Sequence, residues 1–234
     1  MSLKLSPSAL SFLKRECYRC FTMKVRYGID RPNLIFPRIF TDIDLAVKKF
    51  YHNKSSTLIV PGMPKCKFIA YSVPVKSTPF QTQNMKTDYH IEGEADALVQ
   101  WADGSFGVID FKTSHCDSKT LPGYRDQLED YSYAFTHPEA THMDLALKHP
   151  ELLSKGIQRN GLIVFEPSEF SYSIEAGIGG FMGKIAWVPS VYNEAKFMKK
   201  METVDSHISG DIMPNPGWFC EFCAAYSKFY EIVG

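Results

Sequence analysis

Asp110 and Lys112 stand two apart in the run Val108-Ile109-Asp110-Phe111-Lys112, and Asp96 precedes them by fourteen residues. Alternate side chains of a strand share a face, so this acid and this base point one way while Ile109 and Phe111 point the other. Ala102-Asp103-Gly104 separates two strand-like runs, His90 to Trp101 and Ser105 to Thr113, and reads as a hairpin turn. A three-residue loop pairs Trp101 with Ser105 and sets Asp96 directly opposite Asp110; a two-residue loop makes the two acids diagonal neighbours. Facing carboxylates repel unless a cation compensates them, and hard oxygen ligands suit a divalent one. Lys112, next to that cation, can orient or deprotonate an attacking water or neutralise a scissile phosphate. This is the chemistry of phosphodiester hydrolysis. By itself Asp-x-Lys is also the pattern of an ordinary ion pair on an exposed strand.

Two further groups carry chemistry. Gln127 and Tyr131 lie four apart and share a face of a helix, where an amide can bond a phosphate or base edge and a phenol can stack on a base or sugar. An amphipathic helix with a half-buried tyrosine gives the same pattern. Four of the six cysteines form Cys17-x2-Cys20 and Cys220-x2-Cys223, one pair near each end, while Cys66 and Cys116 stand alone. Two such pairs are the spacing of a four-thiolate metal site, here a clasp joining the regions 1–31 and 210–234; buried structural cysteines or disulfides are the alternative. Zinc and an iron–sulfur cluster suit thiolates about equally.

The elements that must position these residues follow from the local patterns. Ser6 as a cap with Pro7 at the first helical position starts a helix, and Leu10, Leu13 and Cys17 continue it at helical spacing, bringing Cys17 and Cys20 onto one face. After a loop at Asn33 to Pro37, Ile39, Ile43, Val47 and Phe50 form the apolar stripe of a second helix, which Asp44 borders and from which Asp42 faces away. Prolines at 61, 64, 74 and 79 make Ser55 to Lys86 a region of edge strands and loops. Tyr124 to Phe135 is predicted to be a helix, Gly161 to Phe165 a buried strand, and Tyr192 to Ile208 a helix bearing Lys196, Lys199 and Lys200. The order is mixed α/β, and no repeat or long linker divides residues 1–234.

Taken together, Gly93-Glu94-Ala95-Asp96, Asp110-Phe111-Lys112-Thr113 and Gln127-x3-Tyr131 resemble the motifs of the RecB-type nucleases within the PD-(D/E)XK superfamily. The start Leu5-Ser6-Pro7-Ser8-Ala9-Leu10 with Cys17, and the closing Cys220-x2-Cys223, are similar to the iron–sulfur branch that includes AddB and the CRISPR-associated nucleases. The resemblance implies one restriction-endonuclease-like domain, a mixed central β-sheet flanked by helices, with the ends joined by the four-cysteine site. It implies a DNA nuclease of exonuclease type using Mg2+ or Mn2+ in DNA processing, recombination or repair. By the resemblance, Asp96, Asp110 and the carbonyl of Phe111 bind the metal, Lys112 is the catalytic lysine, and Gln127 and Tyr131 help hold substrate and site. The family usually adds a His or Glu from the helix before the sheet; here Phe40-Thr41-Asp42-Ile43-Asp44-Leu45 offers aspartates, of which Asp44 is the expected ligand. His52 and His90 are alternative ligands. The familiar iron–sulfur arrangement has one cysteine near the start and three near the end, against two and two here, so the expectation is a 4Fe-4S cluster with Zn2+ as the alternative.

Composition constrains the partners. The 234 residues are 44% hydrophobic, 14% aromatic and 22% charged, a globular balance. Lys and Arg number 26 and so do Asp and Glu, which excludes a general polyanion-coating role. The charges are segregated: the first 31 residues hold seven basic against two acidic side chains, and residues 88–130 hold three basic against ten acidic. Two solvated faces give the same segregation; the sharper reading is a phosphate-binding surface beside a cation site, with affinity for DNA, single-stranded or with single-stranded ends, coming from the basic arm and the 196–200 lysines. No Gly-x4-Gly-Lys-Ser/Thr motif occurs, so unwinding falls to a partner helicase or to other recombination or replication proteins. The expectation is a soluble intracellular protein without a membrane partner. The alternative is a non-catalytic nucleic-acid-binding or assembly module that keeps the nuclease fold and a four-cysteine metal clasp.

Overall fold

The turn at Ala102-Asp103-Gly104 sets the register of the central hairpin. Gly104 takes φ +81°, which a side chain would oppose, and its N–H closes the turn on the Trp101 carbonyl at 2.9 Å. Trp101 donates to the Ser105 carbonyl at 2.8 Å, as the three-residue loop requires. In this computed structural model, which describes residues 2–11, 13, 17–31, 38–52, 60–115, 119 and 121–233, the hairpin is β3 (Tyr89–Trp101) and β4 (Phe106–Thr113). The other elements are β1 (Leu3–Leu5), α1 (Pro7–Ser11), α2 (Tyr18–Tyr27), α3 (Arg38–His52), β2 (Cys66–Lys76), α4 (Leu121–Thr136), α5 (Asp144–Lys148), α6 (Glu151–Lys155), β5 (Arg159–Ser173), β6 (Ile178–Val191), α7 (Glu194–Ile208) and α8 (Glu221–Val233), with a 3-10 turn at Ala140–His142.

The six strands form a mixed sheet in the order β1-β3-β4-β5-β6, with β2 also pairing β3. β3 runs parallel to β1 and antiparallel to β2 and β4, β4 is parallel to β5, and β5 antiparallel to β6. Pro74 sits within β2, opposite Glu94 of β3. A proline fits there because a strand can spare an N–H on its unpaired side. Alternation along β3, β4 and β5 divides the apolar side chains between two cores. Leu98, Val108, Leu162 and Val164 pack with Leu128 and Tyr131 of α4 and Phe197 and Met201 of α7. Ala97, Val99, Ile109, Phe111 and Ile163 pack with Val47 and Tyr51 of α3. Helices therefore flank both faces of the sheet, as a layered α/β core requires.

Several expectations change. The helix predicted from Ser6 through Cys17 is two helices, α1 and α2, and Cys17 is extended (φ −101°, ψ 118°) as the cap of α2. On α3, Ile39 and Phe50 of the predicted stripe are exposed; the helix is rotated so that Val47 and Tyr51 meet the sheet, with Asp44 and Lys48 alongside. The buried strand predicted at Gly161 to Phe165 continues as a two-stranded ribbon, residues 166–173 pairing with 178–184, exposed on both faces. The predicted loop at 33–37 and Cys116 lie outside the described residues. No helix among those described is long and apolar enough to cross a membrane.

Candidate active site and four-cysteine clasp

The β3–β4 ladder ends at Ala97 and Ile109. One position further the strands part, and the side chain of Asp96 fills the fork: its Oδ2 accepts the Phe111 N–H at 2.9 Å, replacing a main-chain partner. Asp110, the residue opposite, is buried to 2% exposure, and Lys112 Nζ lies 2.7 Å from its Oδ2. Apart from this ion pair, Oδ2 is a buried carboxylate oxygen without a hydrogen bond. Burial pushes the Asp110 carboxyl up to about 7, with Lys112 opposing and the nearby Asp96 reinforcing the shift. Burial works to lower the pKa of Lys112, but Asp110 and Asp96 outweigh it and hold the group above the ordinary lysine value. Lys112 is thus a fixed ammonium at neutral pH, over the Tyr124 ring at 5.0 Å from its centroid. It can neutralise charge or orient water but is not poised to take a proton.

α4 supplies Gln127 and Tyr131, both buried, and Gln127 Nε2 donates to the Tyr131 hydroxyl at 3.2 Å. Burial and then Asp110 raise the Tyr131 pKa, so the phenol stays neutral beside the carboxylates. Gly93 lets this face close up: a Cβ there would come 3.0 Å from Pro7 and 3.5 Å from Tyr131. From the opposite side α3 brings Asp44 and Lys48. Lys48 Nζ lies 2.7 Å from Asp96 Oδ1 and 2.9 Å from Asp44 Oδ2. Asp42 is turned toward Arg38, 3.6 Å away. The phenyl ring of Phe111 stacks on Tyr51 at 5.2 Å, fixing β4 against α3.

The structure thus gathers Asp44, Asp96, Asp110, Phe111, Lys112, Gln127 and Tyr131 around one fork in the sheet. His90 does not join them: it contacts Ser2 at 3.0 Å and Glu92 at 3.4 Å, six residues along β3 from Asp96, about 20 Å at strand rise. The side chain of His52 lies outside the described residues. Lys48 was not singled out from the sequence, although its spacing from Asp44 places both on one helix face. The carboxylates of Asp96 and Asp110 are the hard oxygen donors a divalent cation takes, and here they are paired with Lys48, Lys112 and the Phe111 N–H.

Less of the basic surface is available than the sequence implies. Lys196 bonds Glu129 at 2.7 Å and lies 3.5 Å from Asp126, and Lys200 pairs with buried Asp130. These lysines tie α7 to α4. In the N-terminal arm Lys4 pairs with Glu92, Lys24 with Asp30 at 2.5 Å, and Arg26 donates to the carbonyls of Ile208 and Gly210.

The cysteines converge from the two ends. Each Cys-x2-Cys pair has the same construction, one cysteine just before a helix and one in its first turn: Cys17 and Cys20 at α2, Cys220 and Cys223 at α8. All four Sγ atoms lie within 4.8 Å of one another, with Cys17–Cys223 at 3.7 Å, Cys20–Cys220 at 3.6 Å and Cys20–Cys223 at 3.5 Å. Helix N-termini favour thiolates. Burial opposes ionisation of Cys17, but the Gly217 N–H at 3.0 Å and the neighbouring cysteines bring it down to about 7, whereas burial raises Cys20 and Cys223. Four such sulfurs can hold a metal ion.

No family model and no curated protein matches the chain. Among solved structures, the crystal structure of SSO0001 is similar over 99% of this chain and 85% of its own, with a TM-score of 0.51 and 17% identity. At that identity the likeness is one of fold.

Proposed function

We propose that this protein is a Mg2+- or Mn2+-dependent deoxyribonuclease of the RecB type, with a restriction-endonuclease-like core acting on DNA that is single-stranded or has single-stranded ends. The observation that carries this reading is the fork itself: Asp96 and Asp110 meet where β3 and β4 part, and a buried Asp110 oxygen is left without a hydrogen bond beside a charged Lys112. A divalent cation bound there supplies a Lewis acid for the scissile phosphate. Asp96 and Asp110 hold that cation, and Asp44 stands next to them on α3. Lys112 counters the negative charge that develops on the phosphate in the transition state, because its own ammonium is fixed by Asp110 and Asp96. Gln127 and Tyr131 back the wall behind Asp110 and keep water from it.

The four cysteines hold a metal that ties the chain's ends together. A tetrahedral ion with metal–sulfur bonds of about 2.3 Å sets its sulfurs about 3.8 Å apart. The 3.5–3.7 Å pairs here match that spacing, which favours a single Zn2+ over a 4Fe-4S cluster, whose cysteines bind separate irons and sit farther apart. Zinc analysis together with the absorption spectrum of anaerobically purified protein separates them: a colourless protein with one zinc is expected, and a brown one absorbing near about 400 nm indicates the cluster.

The test of the activity is cleavage of labelled DNA in Mn2+ by Lys112→Ala beside the unmodified chain. Loss of cleavage with an unchanged circular-dichroism spectrum is expected; a fully active variant removes the assignment. One observation favours the second reading, a non-catalytic nucleic-acid-binding or assembly module: Lys48 already neutralises Asp44 and Asp96. DNA binding without cleavage by the Mn2+-loaded protein would support it.

A further inference from the structure

Lys48 occupies the position from which Asp44 and Asp96 would face a cation. Its ammonium bridges Asp96 Oδ1 at 2.7 Å and Asp44 Oδ2 at 2.9 Å, while Asp96 Oδ2 is spent on the Phe111 N–H. Every oxygen of Asp96 thereby has a partner, whereas Asp110 Oδ2 has only the Lys112 ion pair and no hydrogen bond. Three carboxylates, Asp44, Asp96 and Asp110, face two ammonium groups, Lys48 and Lys112. A divalent cation added with both lysines in place would set four positive charges against three negative ones. Moving Lys48 out restores the balance.

Space for that movement exists beside the pair. A cavity of about 310 Å3 is lined by Leu45, Lys48, Lys49, Tyr71, Ser72 and Asp96. Lysine has a flexible four-carbon stem and a compact head with three donors, so it can leave a carboxylate without disturbing its helix. Val47 and Tyr51 anchor α3 to the sheet independently of it.

We infer that Lys48 is a built-in competitor for the catalytic cation: its ammonium holds Asp44 and Asp96 together and would turn into the neighbouring cavity for a cation to take its place. The inference rests on the nuclease reading above. Lys48 is a positioning residue: it sets the metal affinity of the site by pairing with Asp44 and Asp96. A lysine that merely braced Asp96 would weaken metal binding when removed, whereas a competitor strengthens it.

The test is direct Mn2+ binding to the full chain with its cysteine clasp intact, read as loss of the free-Mn2+ signal in electron paramagnetic resonance. Lys48→Met is expected to bind Mn2+ about tenfold more tightly, the scale of releasing one charge-assisted pair. Lys48→Gln, which keeps hydrogen bonding without the charge, should shift the same way and serves if the methionine variant does not fold. Lys49→Met and Lys48→Arg should stay near the unmodified value. Equal or weaker binding by both neutral Lys48 variants overturns the inference. If the unmodified chain binds Mn2+ and Asp110→Asn abolishes it, that failure belongs to Lys48 alone. If neither the unmodified chain nor the neutral Lys48 variants bind Mn2+, the nuclease reading falls and this inference with it.

Discussion

Asp110 is the residue on which the site turns. Its burial with an oxygen that has an ion pair but no hydrogen bond is costly, and the proposed cation would offset that cost. Because burial pushes its carboxyl up to about 7, a proton would compete with the proposed cation below that pH. The sign follows: the apparent dissociation constant for Mn2+ should rise about tenfold per unit as the pH falls below about 7 and level off above it. A profile flat between about pH 5.5 and 8, followed by calorimetric titration, would remove Asp110 from the ligand set. Lys112 lies one step further out. Lys112→Ala should lower the cleavage rate by at least about a hundredfold while leaving the unfolding midpoint nearly unchanged, the size expected of a lost transition-state charge partner.

Among the elements, the hairpin was legible from the sequence because one turn determines everything after it: with Gly104 in a positive-φ loop, the pairing of Trp101 with Ser105 brings Asp96 to the level of Asp110. Hydrophobic spacing placed α4 and α7 for the same kind of reason. α3 was read in part, since Ile39, Ile43, Val47 and Phe50 satisfy helical spacing, but the helix packs Val47 and Tyr51 on the sheet and sets Lys48 against Asp96. Local periodicity cannot choose between two faces of a helix when one is completed by the stem of a lysine. The ribbon of β5 and β6 was not legible because Gly179, Gly180 and Gly183 interrupt any alternation and both its faces meet solvent. The close contact of α1 with α4 also depended on tertiary structure. A Cβ on Gly123 would fall 2.4 Å from the Ser11 carbonyl oxygen. Gly123→Ala should therefore destabilise the chain by about 1–3 kcal/mol, the usual cost of overpacking, measured by urea unfolding. A neutral result would show that α1 can move away from α4 freely.

For the whole molecule, a net charge of zero conceals a division of labour. The ten acids between 88 and 130 include both carboxylates of the fork, while much of the basic complement is used internally, Lys196 and Lys200 joining α7 to α4 and Lys48 and Lys112 serving the site. On the proposed reading, DNA affinity would draw on cations at the site as well as on basic side chains and should be strongly metal-dependent. The two cysteine pairs, about two hundred residues apart in the chain, close it into a loop. Cys223→Ala should lose the clasp metal and lower the unfolding midpoint by about 10 °C or more, since a ligand set that forms only in the folded chain contributes its binding energy to folding. Unchanged metal content and midpoint would show that the cysteines are merely neighbours. The chemistry at the fork is tested most directly by incubating end-labelled single-stranded DNA with the full chain in Mn2+, beside an Asp110→Asn variant of matched unfolding midpoint. Cleavage by the unmodified chain that chelation stops and Asp110→Asn lacks is the expected result; no cleavage by the Mn2+-loaded chain, or full activity in Asp110→Asn, would contradict it.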